Sequence, residues 1–350
     1  MKRKEFLYTS GLVMGGTLLG CKPVAKKVPE EIQTITFDLH THPGVFYRKG
    51  ASLYAGDQAF WERIKEMNAK GLHGAFFCLV ADSPLLQRTE TGIITKGTYQ
   101  EDEGWTEFEN QLGILKDLLN NSEAQIALSS DELTENDRVK AYIAVEGGDF
   151  LGLNIDRVAE AYAAGVRSIQ LVHYAQNKLG DLQTAPAQYN GLSPFGKEVV
   201  QKMNELGMVI DLAHASQKTV QDVVQLSTAP VMLSHSILKE SPDRPIAARS
   251  ISVEHAKMIA DNGGVIGMWP SGFSASFEEF VDHTLRMVDT VGIDHVGIGT
   301  DMDSNYKPVV KDYSEFLNWK DALLAKGLSQ KEVDQLAGGN AHRLLKAVLA

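Results

Sequence analysis

Histidine and carboxylate side chains follow several apolar, strand-like runs of this 350-residue chain. They are His40 and His42 after the first run, and Glu146, His214, His235 and Asp301 after later ones. Imidazole and carboxylate groups with open positions between them are typical ligands of zinc and similar divalent ions. Ligands at the C-terminal ends of several strands are how a (β/α)8 barrel builds its active site. The pattern therefore predicts a metal-dependent hydrolase.

The number and spacing of these residues predict two metal ions. His40 and His42 are alternate residues of an extended segment, so their rings point to the same side and can reach one ion. Glu146 follows a strand that carries no other charge after Lys140, and its two oxygens could bridge two cations. With His214 and His235 there are five ligands, which is too many for one tetrahedral zinc.

Three further residues are candidates for work on the substrate. Asp301 is placed to accept a proton beside a metal-bound water, with Asp303 as a nearby rival. His173 opens a long loop and is either a further ligand or a donor to substrate. Arg249 could clamp a carboxylate with both arms of its guanidinium group, or it could form an ordinary surface ion pair.

The remaining histidines serve as a comparison. His295 precedes the strand that ends in Asp301, so we expect it at the opposite end of the barrel, and His73 likewise precedes its strand. His255, His283 and His342 fall on helical patterns and are expected at the surface.

Strand-like and helix-like segments alternate along the chain, which predicts a single α/β domain with a parallel sheet buried on both faces, a (β/α)8 TIM barrel. The predicted strands are 33–39, 74–80, 124–128, 140–145, 167–172, 208–213, 230–234, 264–268 and 295–300. Nine candidates exceed the eight barrel positions, and 124–128 is the weakest. The long connections 81–103 and 173–193 are expected at the active-site face as lids or disordered loops.

The first 21 residues have the layout of an export signal. Lys2 and Arg3 precede an apolar stretch that is short for a membrane span, and Leu-Leu-Gly-Cys ends it at Cys21. That ending resembles a bacterial lipobox, which predicts a signal peptide at 1–20, a lipid anchor on Cys21, a tether over 21–32 and a hydrolase barrel over 33–350.

The net charge of −11 argues against nucleic acid as a partner.

Longer motifs resemble the renal (membrane) dipeptidase family of metallopeptidases in the amidohydrolase superfamily. The resemblance covers roughly 35–348 and includes Val145-Glu146-Gly147-Gly148, Leu171-Val172-His173, the run 191–198, Asp211-Leu212-Ala213-His214 and Gly299-Thr300-Asp301.

The resemblance implies a (β/α)8 barrel with two zinc ions bridged by a glutamate and a hydroxide. Carried over by motif, His40 and His42 bind one zinc, Glu146 bridges, and His214 with His235 binds the other. His173 would contact the substrate carbonyl, Arg249 the C-terminal carboxylate of a dipeptide, with Arg244 as its competitor, and Asp301 would shuttle the proton. The family motif is His-x-Asp, so His42 is a departure that makes the site more positive.

The leading hypothesis is an exported, lipid-anchored dipeptidase that uses two divalent ions, with Zn²⁺ the expected metal, on small peptide substrates, including those with a D-residue at the second position. Alternatives are a related amidohydrolase acting on N-acyl amino acids or lactones, and a catalytically silent lipoprotein that binds metal or peptide. Side-chain preference stays open, and a homodimer is one of the oligomeric states left open.

Overall fold

The computed structural model describes residues 34–51, 54–89, 92–135 and 137–349. The predicted signal peptide, Cys21 and the tether therefore lie outside the described residues. Thr34–Ala350 forms one compact unit. Among the described residues no helix is both long and apolar enough to span a membrane.

The strands are β1 (Phe37–Thr41), β2 (Gly74–Val80), β3 (Leu86–Thr89), β4 (Gly92–Thr95), β5 (Gln125–Ile126), β6 (Lys140–Glu146), β7 (Val166–Gln170), β8 (Val209–Asp211), β9 (Met232–Ser236), β10 (Val265–Met268) and β11 (Val296–Ile298). The α-helices are α1 (Asp57–Ala69), α2 (Glu103–Asn120), α3 (Asp156–Ala163), α4 (Pro194–Leu206), α5 (Gln217–Leu226), α6 (Val253–Asp261), α7 (Phe277–Val291), α8 (Tyr313–Ala325), α9 (Gln330–Asp334) and α10 (Asn340–Val348).

Eight parallel strands follow one another in the order β1-β2-β6-β7-β8-β9-β10-β11. The two ends of this sheet meet, because the Asp301 amide donates to the His40 carbonyl at 2.8 Å and the His42 amide donates to the Met302 carbonyl at 3.1 Å. The predicted single-domain barrel is confirmed. The weak candidate 124–128 is the two-residue β5, which pairs only with β6 and stands outside the ring.

Local sequence signals set the helix boundaries. The side chains of Ser193, Ser216, Ser252 and Ser276 each accept a hydrogen bond from a backbone amide in the first turn of α4, α5, α6 and α7. Gly207 ends α4 in the left-handed conformation that glycine adopts without strain. These caps fix where four helices begin and where α4 ends.

The barrel interior is filled at the end away from the site. Phe37, Phe76 and Tyr142 pack ring against ring with centroids 5.5 to 6.0 Å apart. Leu344 and Leu345 of α10 belong to the same buried cluster, so this helix contributes to the core at that end. Side chains therefore occupy the barrel as a packed core and leave the strand C-termini as the open face.

The two long connections have different structures. Residues 81–103 contain the β3–β4 hairpin, an antiparallel pair that lines the pocket described below. Residues 173–193 contain no helix or strand, but the buried Asp181 carboxylate accepts hydrogen bonds from the amides of Gln188, Tyr189 and Gly191. Those bonds hold the second connection in one shape over the barrel.

Two expectations about histidines are wrong. His255 and His283 are 2% and 3% exposed, although we expected both at the surface. His283 Nδ1 lies 2.8 Å from the Ser274 hydroxyl, and burial lowers the pKa of both histidines. His295 lies at the N-terminal end of β11, as expected, with its Nδ1 3.0 Å from the Gly264 carbonyl.

Candidate functional site

All eight residues predicted to act lie together at the C-terminal ends of the strands. Four of them converge on Glu146 at the end of β6: the Nε2 atoms of His40, His42, His214 and His235 lie 3.4 to 3.9 Å from its carboxylate oxygens. All five side chains are buried. His173 and Asp301 complete the set at the mouth of this cluster.

The imidazoles form two pairs, one at each side of Glu146. The Nε2 atoms of His40 and His42 are 3.0 Å apart, and those of His214 and His235 are 3.1 Å apart. Zinc–nitrogen bonds of about 2.0–2.1 Å in a tetrahedron place two donors roughly 3.3 Å apart. Both pairs are therefore spaced like ligands of a common ion, and the donor set fits two divalent cations.

Hydrogen bonds at the far side of each ring orient these nitrogens. His42 Nδ1 donates to the Cys78 carbonyl at 2.8 Å, which turns Nε2 toward Glu146. The Ser234 hydroxyl lies 3.1 Å from His40 Nδ1 and 3.0 Å from His235 Nδ1, so one hydroxyl supports a ring of each pair. Such outer partners fix the tautomer and the orientation of metal-binding histidines.

Burial and neighbouring charges shift the pKa values of the clustered side chains. Burial would raise the pKa of Glu146, but the surrounding His173, His40 and His214 hold it well below its ordinary range. Burial lowers the pKa of both His214 and His235 well below the ordinary value, so these rings are neutral and their nitrogens are free to bind metal. Burial alone would lower the pKa of His42, but the Asp301 and Glu146 carboxylates raise it well above the ordinary value, so a metal ion held there would have to displace its proton.

Two carboxylates that the sequence analysis did not single out tie the strand ends together. Asp38 Oδ1 accepts hydrogen bonds from the amides of His40 and Thr300, which joins β1 to the end of β11. Asp211 Oδ1 accepts from the amides of Ala213 and Ser234, which joins β8 to β9. Each is a charged residue inside an otherwise apolar strand run, and that interruption was the signal available in the sequence.

Backbone strain accompanies two of the site residues. His214 and Asp301 have φ values of 66° and 51°, in the left-handed region that residues other than glycine rarely adopt. Each such residue costs about 1–3 kcal/mol and persists where the surrounding structure enforces it, most often at functional sites. The strain turns both side chains from the strand direction into the pocket.

The Asp301 carboxylate contacts His42 of the first histidine pair. Its Oδ1 lies 3.3 Å from His42 Nε2, and its Oδ2 accepts a hydrogen bond from the Trp269 indole at 3.2 Å. The rival Asp303 instead accepts hydrogen bonds from the Gly44 amide and the Arg63 guanidinium. Of the two aspartates, only Asp301 is held at the centre of the pocket.

His173 is held by Asp82, a residue that the sequence analysis missed. His173 Nδ1 donates to Asp82 Oδ1 at 2.7 Å, and its Nε2 lies 3.4 Å from Glu146 Oε1. Asp82 is fully buried, and its Oδ2 accepts the amides of Tyr174 and Ala175. Asp82 follows β2 directly, so its place after a buried strand was the available signal.

The two candidate arginines have different surroundings. Arg244 pairs with Glu240 and Glu279 on the outer face. Arg249 is 3% exposed, donates to the Gln183 side chain, and has one Nη 3.4 Å from His235 Nε2. Among the described residues no carboxylate lies within ion-pair distance of Arg249, and its Nε has no hydrogen-bond partner. Only Arg249 is available to a ligand at the centre.

Comparison with known proteins finds similar dipeptidases. The chain is 32% identical to the dipeptidase tcpJ of Claviceps purpurea over 216 residues, which are 59% of this chain and 50% of that protein. The matches span 48% to 60% of the curated dipeptidases found.

Solved structures share the fold. That of dipeptidase AC, a metallopeptidase of family M19, has a TM-score of 0.77 at 21% identity and covers 91% of this chain and 99% of its own. A metallopeptidase from Rhodobacter sphaeroides, solved with a phosphinate mimic of the dipeptide L-Ala-D-Ala, has a TM-score of 0.76 at 20% identity, covering 90% and 99%. The sequence profile of the membrane dipeptidases, peptidase family M19, matches residues 32–350. This chain belongs to the membrane dipeptidase family, whose members are metal-dependent peptidases.

Proposed function

We propose that this protein is an exported, metal-dependent dipeptidase. The observation that carries the proposal is a buried, unpaired arginine beside a buried cluster of metal-ligand side chains. A dipeptide has a carboxylate and a scissile amide about one residue apart, and the site offers a group for each. A hydrolase of neutral esters would have no use for the uncompensated charge of Arg249.

The metal-holding residues follow from the two imidazole pairs. His40 and His42 would hold one divalent ion, His214 and His235 the other, and Glu146 would contact both, with zinc as the ion that this donor set suits best. When bound, such ions polarise a carbonyl oxygen and make water acidic enough to act as a nucleophile near neutral pH.

Arg249 would bind the C-terminal carboxylate. It lies beside the second imidazole pair, and Gln183 and Tyr174 orient its guanidinium group. A planar guanidinium offers parallel N–H donors that match the two carboxylate oxygens. A substrate held there would present its peptide bond over Glu146.

His173 and Asp301 would handle the charges and protons of the reaction. With Nδ1 bonded to Asp82, His173 presents Nε2 to the centre, where it would donate to the substrate carbonyl oxygen and stabilise the charge that develops there. Asp301 would accept the proton of the attacking water and deliver it to the leaving amine.

The finer assignments extend the same proposal. We include dipeptides with a D-residue at the second position among the substrates. The segment 1–20 would be a signal peptide, Cys21 would carry a lipid anchor at the periplasmic side or the cell surface, and 21–32 would tether a hydrolase domain that begins near residue 33.

Metal analysis combined with a dipeptide panel tests the function. The purified protein should hold up to two divalent ions and hydrolyse dipeptides with free carboxyl termini.

Asp301→Asn should retain its metal and lose turnover by about 10²- to 10⁴-fold, because general acid–base catalysis is removed. Arg249→Ala should raise KM for dipeptides while sparing neutral esters. Unchanged turnover in Asp301→Asn, or absence of activity with full metal occupancy, would refute the assignment.

A further inference from the structure

The pocket extends well beyond the metal centre, and its outer wall carries positive charge. The cavity has a volume of about 760 Å³. Arg48, Arg88 and Lys96 line it. The only carboxylates that line the described part of the cavity are Glu146 and Asp301, which both belong to the centre.

These three cations have no carboxylate partner among the described residues. By contrast, Lys49, the neighbour of Arg48, pairs with Asp57, and Arg63 pairs with Asp303. Arg48 is oriented without being neutralised, since its Nε donates to the Tyr47 hydroxyl at 3.2 Å and its guanidinium carbon lies 5.4 Å from the Tyr47 ring centroid. Uncompensated charge aimed at a cavity is available for a ligand of opposite sign.

The position of these cations decides which end of a dipeptide they would meet. Arg249 lies at the His214–His235 side of Glu146. Tyr47, which orients Arg48, lies at the other side, with its ring centroid 5.3 Å from that of His42. A substrate whose C-terminal carboxylate is at Arg249 and whose peptide bond is over Glu146 therefore extends its amino-terminal residue toward Arg48. The β3–β4 hairpin with Arg88 and Lys96 lines this outer region.

We propose that the enzyme selects dipeptides whose amino-terminal residue has an acidic side chain, with Arg48 as the principal specificity-determining residue and Arg88 and Lys96 in support. The inference rests on the dipeptidase function proposed above. A protein with a net charge of −11 repels anions at long range, so a local group of cations is what would admit a substrate with two carboxylates.

A matched set of dipeptide substrates tests the inference on the zinc-loaded protein. Glu-Ala, Gln-Ala and Lys-Ala, each with L- and D-alanine, differ in the charge of the first residue while the scissile bond is the same. We expect kcat/KM for Glu-Ala to exceed that for Gln-Ala by about 10-fold, mainly through KM, with Lys-Ala the poorest. High salt should reduce the difference in kcat/KM between Glu-Ala and Gln-Ala, because salt screens exposed charges.

Variants assign the preference to its residues. Arg48→Gln should bring the Glu-Ala to Gln-Ala ratio close to 1. Arg88 lies on the exposed hairpin, so Arg88→Glu should leave the packing of Arg48 intact. This substitution should shift the preference toward Lys-Ala. Lys49→Gln removes a cation from the adjacent position outside the cavity and should keep the wild-type ratio.

The outcomes separate the two proposals. Equal rates on Glu-Ala and Gln-Ala overturn the acidic preference and leave the dipeptidase function standing. A preference for Glu-Ala that survives both Arg48→Gln and Arg88→Glu overturns the role of these cations. Hydrolysis of none of the dipeptides by the metal-loaded protein overturns both proposals.

Discussion

At the scale of single residues, the proposed active site depends on side chains that are not among the proposed metal ligands. Asp82 is the clearest case, because it accepts the Nδ1 proton of His173 and two backbone amides of the same loop. A carboxylate in this position fixes which nitrogen of the ring carries the proton and which way the ring faces. Asp82 is therefore a positioning residue for His173.

Replacing Asp82 by asparagine should lower kcat by about 10- to 100-fold with little change in KM or metal content. The amide still accepts the loop amides, but it no longer holds the ring with a charged acceptor. Steady-state kinetics with metal analysis measures the split between kcat and KM. In a His173→Ala background the same substitution should have almost no further effect. Additive losses in the double variant would show that Asp82 acts on something other than His173.

At the scale of secondary-structure elements, close approach of β10 and β11 to β9 positions the histidine pairs. A Cβ added to Gly267 or to Gly299 would stand 1.8 Å from the carbonyl oxygen of Ser234. The Ser234 hydroxyl supports both His40 and His235, so the spacing of these strands is transmitted to one imidazole of each pair.

Gly267→Ala should destabilise the protein by about 3 kcal/mol and reduce metal affinity, because the backbone at Ser234 must move to relieve the clash. Urea unfolding and metal titration measure the two effects. Gly113→Ala is the matched control: Gly113 is exposed in α2 with nothing within 4 Å of the added Cβ. That change should stabilise by about 0.5–1 kcal/mol. If Gly267→Ala changes neither the free energy of unfolding nor the metal affinity, the close contact between these strands is contradicted.

At the scale of the whole molecule, the proposed metal centre joins half of the barrel strands. Its five buried ligand side chains come from the ends of β1, β6, β8 and β9, so bound ions would connect strands that are distant in sequence. Ligands that bind only the folded state stabilise it by mass action. Metal loading should therefore raise the free energy of unfolding of the whole barrel.

Zinc at about 1,000 times its dissociation constant should add about 4 kcal/mol to the free energy of unfolding. For a chain of this length that corresponds to a rise of about 5 °C in Tm. Thermal unfolding with chelator and after zinc addition measures it. His42→Ala removes one ligand and should show a smaller rise at the same zinc concentration. An equal response in the variant would exclude His42 as a ligand.

The sequence by itself determined the fold class and the types of residue in the site. Strand periodicity, helix caps and stop glycines depend on neighbours a few residues apart, so they could be read along the chain. Polar residues at strand ends predicted the meeting of His40, Glu146 and His214, because parallel strands of a barrel present their C-terminal ends on one face.

Only the tertiary structure decided the contacts between residues far apart in sequence. It separated Arg249 from Arg244, joined Asp82 to His173 and placed Ser234 between two histidines. It also buried His255 and His283. The physical reason is that a residue type shows which interactions a side chain can make, whereas strand register, loop path and barrel closure determine which partner is within reach.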